Sequence, residues 1–499
     1  MRTSRLAALT LIVVALVALT SWWGGAPAAR DDVSVEDVIP SAGTDETLSS
    51  TWYCAAGTAG TADAPTHELL LSNPSSELAR ARLSVFGPEG LVGVSDVEVP
   101  AGSVSPTDLD AAFGVSGLSV MVESSTGSLA AEHRLVTSTA VDSVPCATTS
   151  SGAWFFPSQS SVRGASAQLV LFNPFSADAG LDITFATSNG VLIPPELAGV
   201  VVRAGTNRVI DLGQYASVRD QFSVSVKLRT GRVIAETAQS FDVAAEPDRG
   251  LLRTRGLQLQ VGVPEARTEW TLATGFTGTG ARERVVVFNP SRRTAPVVVQ
   301  VTPFGGAEMP PEPFELEVPA GRFAVVDLSA ETRIPGEGFH AIQVESDGVP
   351  VVVGRSIQLD GAPAAPSDEA LGTRPSETLG ATLGTGSPVL ATDWLVPAVL
   401  TGPGQQPMLF VHNPGTGIAT VAAQVLDGEE RLSLVTGLEV APGDSKWVAI
   451  GTSDGLPELL EEGNRSLLVT ASEPVVVERT VTFVAADDLS VGLAVPISR

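Results

Sequence analysis

Two cysteines and four histidines are the residues of this 499-residue chain whose types most readily do chemistry. Cys54 lies two residues after Trp52, and Cys146 closes the same stretch of chain. Two cysteines bracketing one domain predict a structural bridge between its first and last strands, and such bridges persist in oxidising compartments. The histidines His67, His133, His340 and His412 have no H-x-x-x-H spacing, so no zinc site is expected. The Walker loop, H-E-x-x-H pair and calcium loop are absent from the sequence. The acidic pairs Asp31-Asp32, Glu429-Glu430, Glu461-Glu462 and Asp487-Asp488 are dispersed and read as solvated faces. A glycosidase can draw two carboxylates from distant positions, but small duplicated sheet units rarely carry a buried cleft. The sequence therefore offers no catalytic, cofactor-binding or metal-binding residue, and an enzyme is not expected.

The elements that would position any such site repeat along the chain. Four asparagines precede proline, at Asn73, Asn173, Asn289 and Asn413, each after an apolar run: LLLSNP, LVLFNP, VVVFNP and LFVHNP. Each follows a tryptophan: Trp52 by 21 residues, and Trp154, Trp270 and Trp394 by 19. A turn comes later in each copy, at Pro100-Ala101-Gly102, Arg203-Ala204-Gly205, Pro319-Ala320-Gly321 and Ala441-Pro442-Gly443. An Asp-Leu pair follows in three copies, at Asp108, Asp211 and Asp327; the fourth has Ala449-Ile450. Each copy closes on a strand-like run: LAAEHRLV, RVIAETAQS, VVVGRSIQL and VVVERTVTF. Proline ends a central strand because it has no N–H to donate, and asparagine satisfies local backbone groups in a turn. The asparagines thus read as turn residues and the tryptophans as core, rather than as ligand contacts or a sugar platform.

Within a copy the runs are short, β-branched and bounded by Gly, Pro, Ser and Asp, as in PVVVQVT and FELEV of the third. The fold class expected is all-β: four tandem immunoglobulin-like antiparallel β-sandwich modules after an N-terminal signal or anchor helix. The boundaries expected are a leader at 1–29, an acidic tether at 30–50 and sandwiches at 51–147, 148–245, 269–360 and 393–499. Residues 246–268 form a connection that can add a strand to either neighbour. Residues 361–392 are rich in Ala, Gly, Pro, Ser and Thr and read as a flexible linker.

Arg2 and Arg5 precede the apolar run Leu6 to Thr20, and Ala26-Pro27-Ala28 supplies the small side chains of a cleavage site. Extended to Trp23, the same run reaches the lower limit for a membrane anchor. Both readings put the rest of the chain outside the cytoplasm, secreted or membrane-anchored. The chain carries 30 basic against 56 acidic residues, a net charge of −26. That charge argues against nucleic acid and anionic lipid, which need Lys and Arg to replace counterions.

WYCAAGTAG at Trp52, the apolar-Asn-Pro motifs, the VPAG turns and the Cys54/Cys146 pair resemble an exported actinobacterial family known only as a domain of unknown function. The resemblance implies an anchored or secreted envelope protein, often encoded beside an envelope glycosyltransferase. It carries no established activity and no catalytic residue. The function expected is that of a non-enzymatic envelope scaffold or spacer. Its partner would be an envelope protein, such as that glycosyltransferase, or a glycan, with membrane contact only through the N-terminal segment. The alternatives are a cell-wall polysaccharide-binding protein and, behind it, an envelope hydrolase or transferase.

Overall fold

The computed structural model describes residues 38–44, 46–58, 65–246, 248, 250–305, 311–361, 379–402, 404–450, 463–483 and 488–498. The leader at 1–29 lies outside them, and so do residues 30–37 of the expected tether and residues 362–378 of the expected linker. Among the described residues the protein is all-β and its strand pairs are antiparallel, apart from one isolated bridge.

Four units share one strand order. In unit one the first strand, Ser50–Cys54, lies in the order first-sixth-third-fourth, and a second sheet runs fifth-second-seventh-eighth. Unit two, from Ala153 to Val261, unit three, from Glu269 to Thr385, and unit four, from Ala391, repeat these orders. In unit four the 21-residue strand Gly463–Phe483 is the sixth strand of one sheet and the seventh of the other, so it joins them. The inward positions follow the pleat: Ala295–Pro303 alternates buried and exposed residues along most of its length. In unit one Trp52, Leu83 and Val120 of the first sheet meet Leu69, Leu71 and Ala130 of the second.

The eighth strands fix where two units end: the first is the strand that the connection could add to a neighbour, and the second corrects the expected linker. Thr254–Val261, within the expected connection, completes the second sheet of unit two. Leu379–Thr385, within the expected flexible linker, completes that of unit three. Its composition misleads because its residues are small for packing reasons. A Cβ on Gly380 would stand 3.1 Å from the Leu489 backbone nitrogen, and one on Gly256 would stand 2.7 Å from an Asp488 oxygen. The close approach of strands, rather than flexibility, requires Gly and Ala there. The expected tether is corrected too: Val38, Ile39 and Ala42 are buried, and Ala42 bridges Ile497 in parallel through Ala42 N–H to Pro496 O (3.0 Å) and Ser498 N–H to Ala42 O (2.9 Å).

The units close into a ring. The second sheet of each unit packs on the first sheet of the unit before it: Phe172 meets Phe86, Phe288 meets Phe155, and Phe410 meets Phe339. Unit one completes the circuit against unit four. Ser72 lies 2.6 Å from Ser466, Arg134 donates to Asn464 (2.7 Å), and Leu395 and Val495 of unit four enter the core of unit one. This head-to-tail contact is the kind that generates a ring when its rotation closes.

Candidate functional site at the centre of the ring

The repeated tryptophans and asparagines are placed first. Each tryptophan sits in the first strand of its unit, buried, with its indole N–H on a backbone carbonyl just ahead of or opening the seventh strand. The acceptors are Leu129 (2.9 Å), Val233 (3.0 Å), Val351 (2.9 Å) and Val475 (3.2 Å). Each asparagine is buried at the end of the second strand. Its Nδ2 donates to the carbonyl four residues on and to the last residue of the fourth-strand region: Val99, Val202, Val318 and Val440. Its Oδ1 accepts the N–H two residues on, from Ser75, Phe175, Ser291 and Gly415. These side chains are spent on the backbone, inside the units. Asp108 and Asp211 cap short turns through Ala111 N–H and Gly213 N–H, whereas Asp327 pairs with Arg282 at 2.8 Å.

Cys54 and Cys146 form a disulfide that ties the first strand to the residue after the eighth. It fits an oxidising, extracytoplasmic environment. Among the described residues no helix is long and apolar enough to cross a membrane, and no cluster of His, Cys, Asp or Glu could hold a metal ion.

Titratable groups that read as scattered along the sequence meet at the unit interfaces. The seventh strand carries a glutamate at one structural position in three units: Glu132, Glu236 and Glu478; Gly354 takes that position in unit three. Glu236 reaches into unit one, where Oε2 accepts Ala55 and Ala56 N–H (both 2.9 Å) and Oε1 meets His133 Nε2 at 2.6 Å. His133 Nδ1 in turn lies 3.0 Å from His67 Nε2. Sequence spacing had set these two histidines apart; they sit on adjacent strands. Burial, and then the neighbouring His133, hold His67 well below the usual imidazole range. Glu478 reaches into unit three in the same way, accepting Thr274 N–H (2.8 Å) and Arg355 Nη1 (3.3 Å); burial raises its carboxyl against the pull of Arg355. Glu132, at the closure, pairs with Arg479, which also donates to Ser143 (2.7 Å).

At the axis the four eighth strands pack against one another. They are sheet edges, and an edge buried in the interior must find partners for its outward N–H groups. Two aspartates supply them. Asp488 Oδ2 accepts Val141 N–H (3.1 Å) of unit one and Leu257 N–H (3.2 Å) of unit two. Asp142 accepts Leu259 N–H (2.7 Å) and the Ser490 hydroxyl (2.6 Å). Burial pushes Asp142 up to about 7, and Asp488 well above the usual carboxylate range. Asp488, expected on a solvated face with Asp487, is fully buried; Glu429 and Glu430 are exposed as expected, and the other two pairs lie outside the described residues. The missed residues carried one legible signal: an acid in the middle of each apolar closing run LAAEHRLV, RVIAETAQS and VVVERTVTF.

A family described as a family of unknown function (DUF5719) matches residues 48–143 and 137–373. The chain belongs to this family. In DUF5719 terms the matched span holds units one and two and most of unit three, including the disulfide and the Glu236 contact. No curated protein matches the chain. Similar solved structures include Thermotoga maritima 1070, 17% identical over 24% of this chain and 94% of that one, TM-score 0.19. Another is the Anabaena sensory rhodopsin transducer, 26% identical over 18% of this chain and 88% of that one, TM-score 0.16. The major pilin from Streptococcus pyogenes is 9% identical over 67% of this chain and 99% of that one, TM-score 0.13. At these scores none of the three carries an argument.

Proposed function

We propose that this DUF5719 protein is a non-enzymatic, exported envelope scaffold that acts as one rigid block and binds an envelope protein through its outer strand edges. The observation that carries this reading is where its acid–base groups are spent. Glu236, Glu478, Asp142 and Asp488 are buried at unit interfaces and bonded to backbone N–H groups of neighbouring units. Among the described residues the fourth and fifth strands of each unit are edges of its two sheets. In unit one the fourth strand, Gly90–Val99, exposes Leu91, Val92 and Val94. Such an edge accepts an added strand from a partner, with main-chain hydrogen bonds giving affinity and side-chain pockets specificity. We read each unit as an immunoglobulin-like sandwich in which, relative to the constant-domain order, the first and seventh strands have exchanged sheets, the fourth lies beside the third, and an eighth strand is added beside the seventh. The leader at 1–29 would secrete the block or hold it at the membrane. The polysaccharide-binding alternative loses its natural platform, since Trp52, Trp154, Trp270 and Trp394 are interior.

The test is capture of envelope proteins by the full chain, compared with a Leu91→Lys/Val94→Lys variant. Selective loss of one captured protein in the variant is expected. Turnover of a cell-wall substrate by purified protein, abolished by one carboxylate substitution, would overturn the reading.

A further inference from the structure

The seam between units four and one joins units that do not follow one another along the chain. Its contacts also differ in kind. The residue before the Asn-Pro step is Phe172 in unit two and Phe288 in unit three, and each ring meets a phenylalanine of the preceding unit. In unit one that residue is Ser72, on Ser466. Arg134 on Asn464, and Arg479 on Glu132 and Ser143, extend the polar contact. Polar groups that part regain hydrogen bonds from water, so opening costs less net free energy there than where aromatic rings must be wetted.

Residues 38–43 lie across this seam. Ala42 N–H donates to Pro496 O (3.0 Å), and the Ala42 carbonyl accepts Ser498 N–H (2.9 Å) and the Ser498 hydroxyl (3.1 Å), all on unit four. One residue on, Gly43 N–H donates to Gly127 O of unit one (3.1 Å), and Gly127 N–H returns to Thr47 O (2.8 Å). Val38 and Ile39 are buried and, with Pro40, wall the small axial cavity to which all four units contribute. Val495 and Ile497, which unit four sends into the core of unit one beside Leu395, lie on the stretch that Ala42 pairs with. Residues 38–43 therefore hold in place the stretch that fills the apolar part of the seam.

We infer that residues 38–43 are a strap whose pairing with residues 496–498 keeps the ring closed, and that its withdrawal opens the ring at the seam between units four and one. Only residues 30–37 separate the strap from the expected leader, so a pull on the N-terminal segment acts first on this pairing. With the strap in place the protein is the rigid block of the scaffold reading. Without it, the eighth-strand edges at the axis come within reach of water. The inference does not depend on the outer-edge partner and is tested separately from it.

The experiment is hydrogen exchange on the full chain, with rates corrected for their intrinsic values. Val141 N–H, on Asp488, reports on the seam between units four and one at a distance from the strap in sequence. Ala55 and Ala56 N–H report on the seam between units one and two, and Thr274 N–H on that between units three and four. In the wild type Val141 should exchange at least tenfold faster than those three. Ala42→Pro, which removes the N–H given to Pro496, should speed Val141 at least tenfold further and leave Ala55, Ala56 and Thr274 unchanged. Ala42→Gly keeps that N–H and should leave all four at wild-type rates. Equal protection of all the seams in the wild type would overturn the proposal, and that comparison needs no variant to fold. So would faster exchange in Ala42→Pro that is confined to the strap, or that is equal at every seam.

Discussion

The interface between units one and two and that between units two and three use the same faces but different chemistry. In the first, Glu236 meets the two backbone N–H groups at Ala55 and Ala56, three and four residues after Trp52. In the second, the residue three after Trp154 is Pro157, which has no N–H, and the seventh strand of unit three presents Gly354 instead of glutamate. A Cβ on Gly354 would lie 2.5 Å from the Pro157 ring, so the glycine makes room for the proline. The interface between units three and four returns to the first pattern, with Glu478 on Thr274 N–H. At the closure the residue three after Trp394 is again a proline, Pro397, yet Glu132 is kept because Arg479 pairs with it, so a buried carboxylate persists where a donor of either kind, backbone or side chain, satisfies it.

The largest break in that comparison comes from Glu236→Ala. It strands Ala55 N–H, Ala56 N–H and His133 together, and a loss of about 3–5 kcal/mol in denaturant unfolding is expected. A loss under about 1 kcal/mol would mean that water replaces the carboxylate and that the interface does not depend on it. The reciprocal change, Gly354→Glu, puts a side chain into the Pro157 ring, and about 2–4 kcal/mol should be lost. Pro157→Ala in the same chain should recover part of this, and the double-mutant cycle reads the coupling directly. Strict additivity would sink the complementarity of glycine and proline.

The disulfide sharpens the same contrast, because Cys54 immediately precedes Ala55 and Ala56, whose N–H groups receive Glu236. Mass spectrometry of unreduced protein should show a Cys54–Cys146 peptide. The Cys54→Ser/Cys146→Ser double variant should lose about 2–3 kcal/mol. Hydrogen exchange should rise first at Ala55 and Ala56, and a rise confined to units three and four would contradict the assignment.

The smallest expected effect is one of pH at the axis. The native carboxyl of Asp142 titrates at about 7, above its ordinary 3.8. Its contribution is therefore complete below the unfolded value and is lost as pH rises through about 7. His412, held down to about 4 by burial, contributes in the opposite sense: its stabilisation is present above the usual imidazole value and lost as pH falls toward 4. Asp142 is faced by the Ser490 hydroxyl, Leu259 and Ser143 N–H, the Arg479 charge and the Asp488 carboxyl. Asp142→Asn should flatten the decline in melting temperature between pH 5 and 8, and an unchanged slope would assign that decline to another group.

Much of the unit was legible along the chain. Trp52 and its counterparts, the Asn-Pro steps and the Gly turns recur because each meets a local demand, whether the end of a strand, a turn or a large core side chain, and local demands write themselves at fixed spacing. Cys54 and Cys146 were legible because nothing else could pair with them. The eighth strand of unit three was not, because LGATLGT carries no β-branched run; its small residues answer to Leu489 and Asp488, more than a hundred positions away. Glu236 and Asp488 were not legible as partners either. A carboxylate in a sequence is a charge, and only the tertiary fold says which N–H groups it faces. The amino-acid order alone determined an all-β chain of recurring units with one disulfide. That the units close into a ring, and that the ring buries acids at its seams, was decided by the fold, because sheet edges brought together in an interior must have their backbone donors satisfied by whichever side chains arrive there.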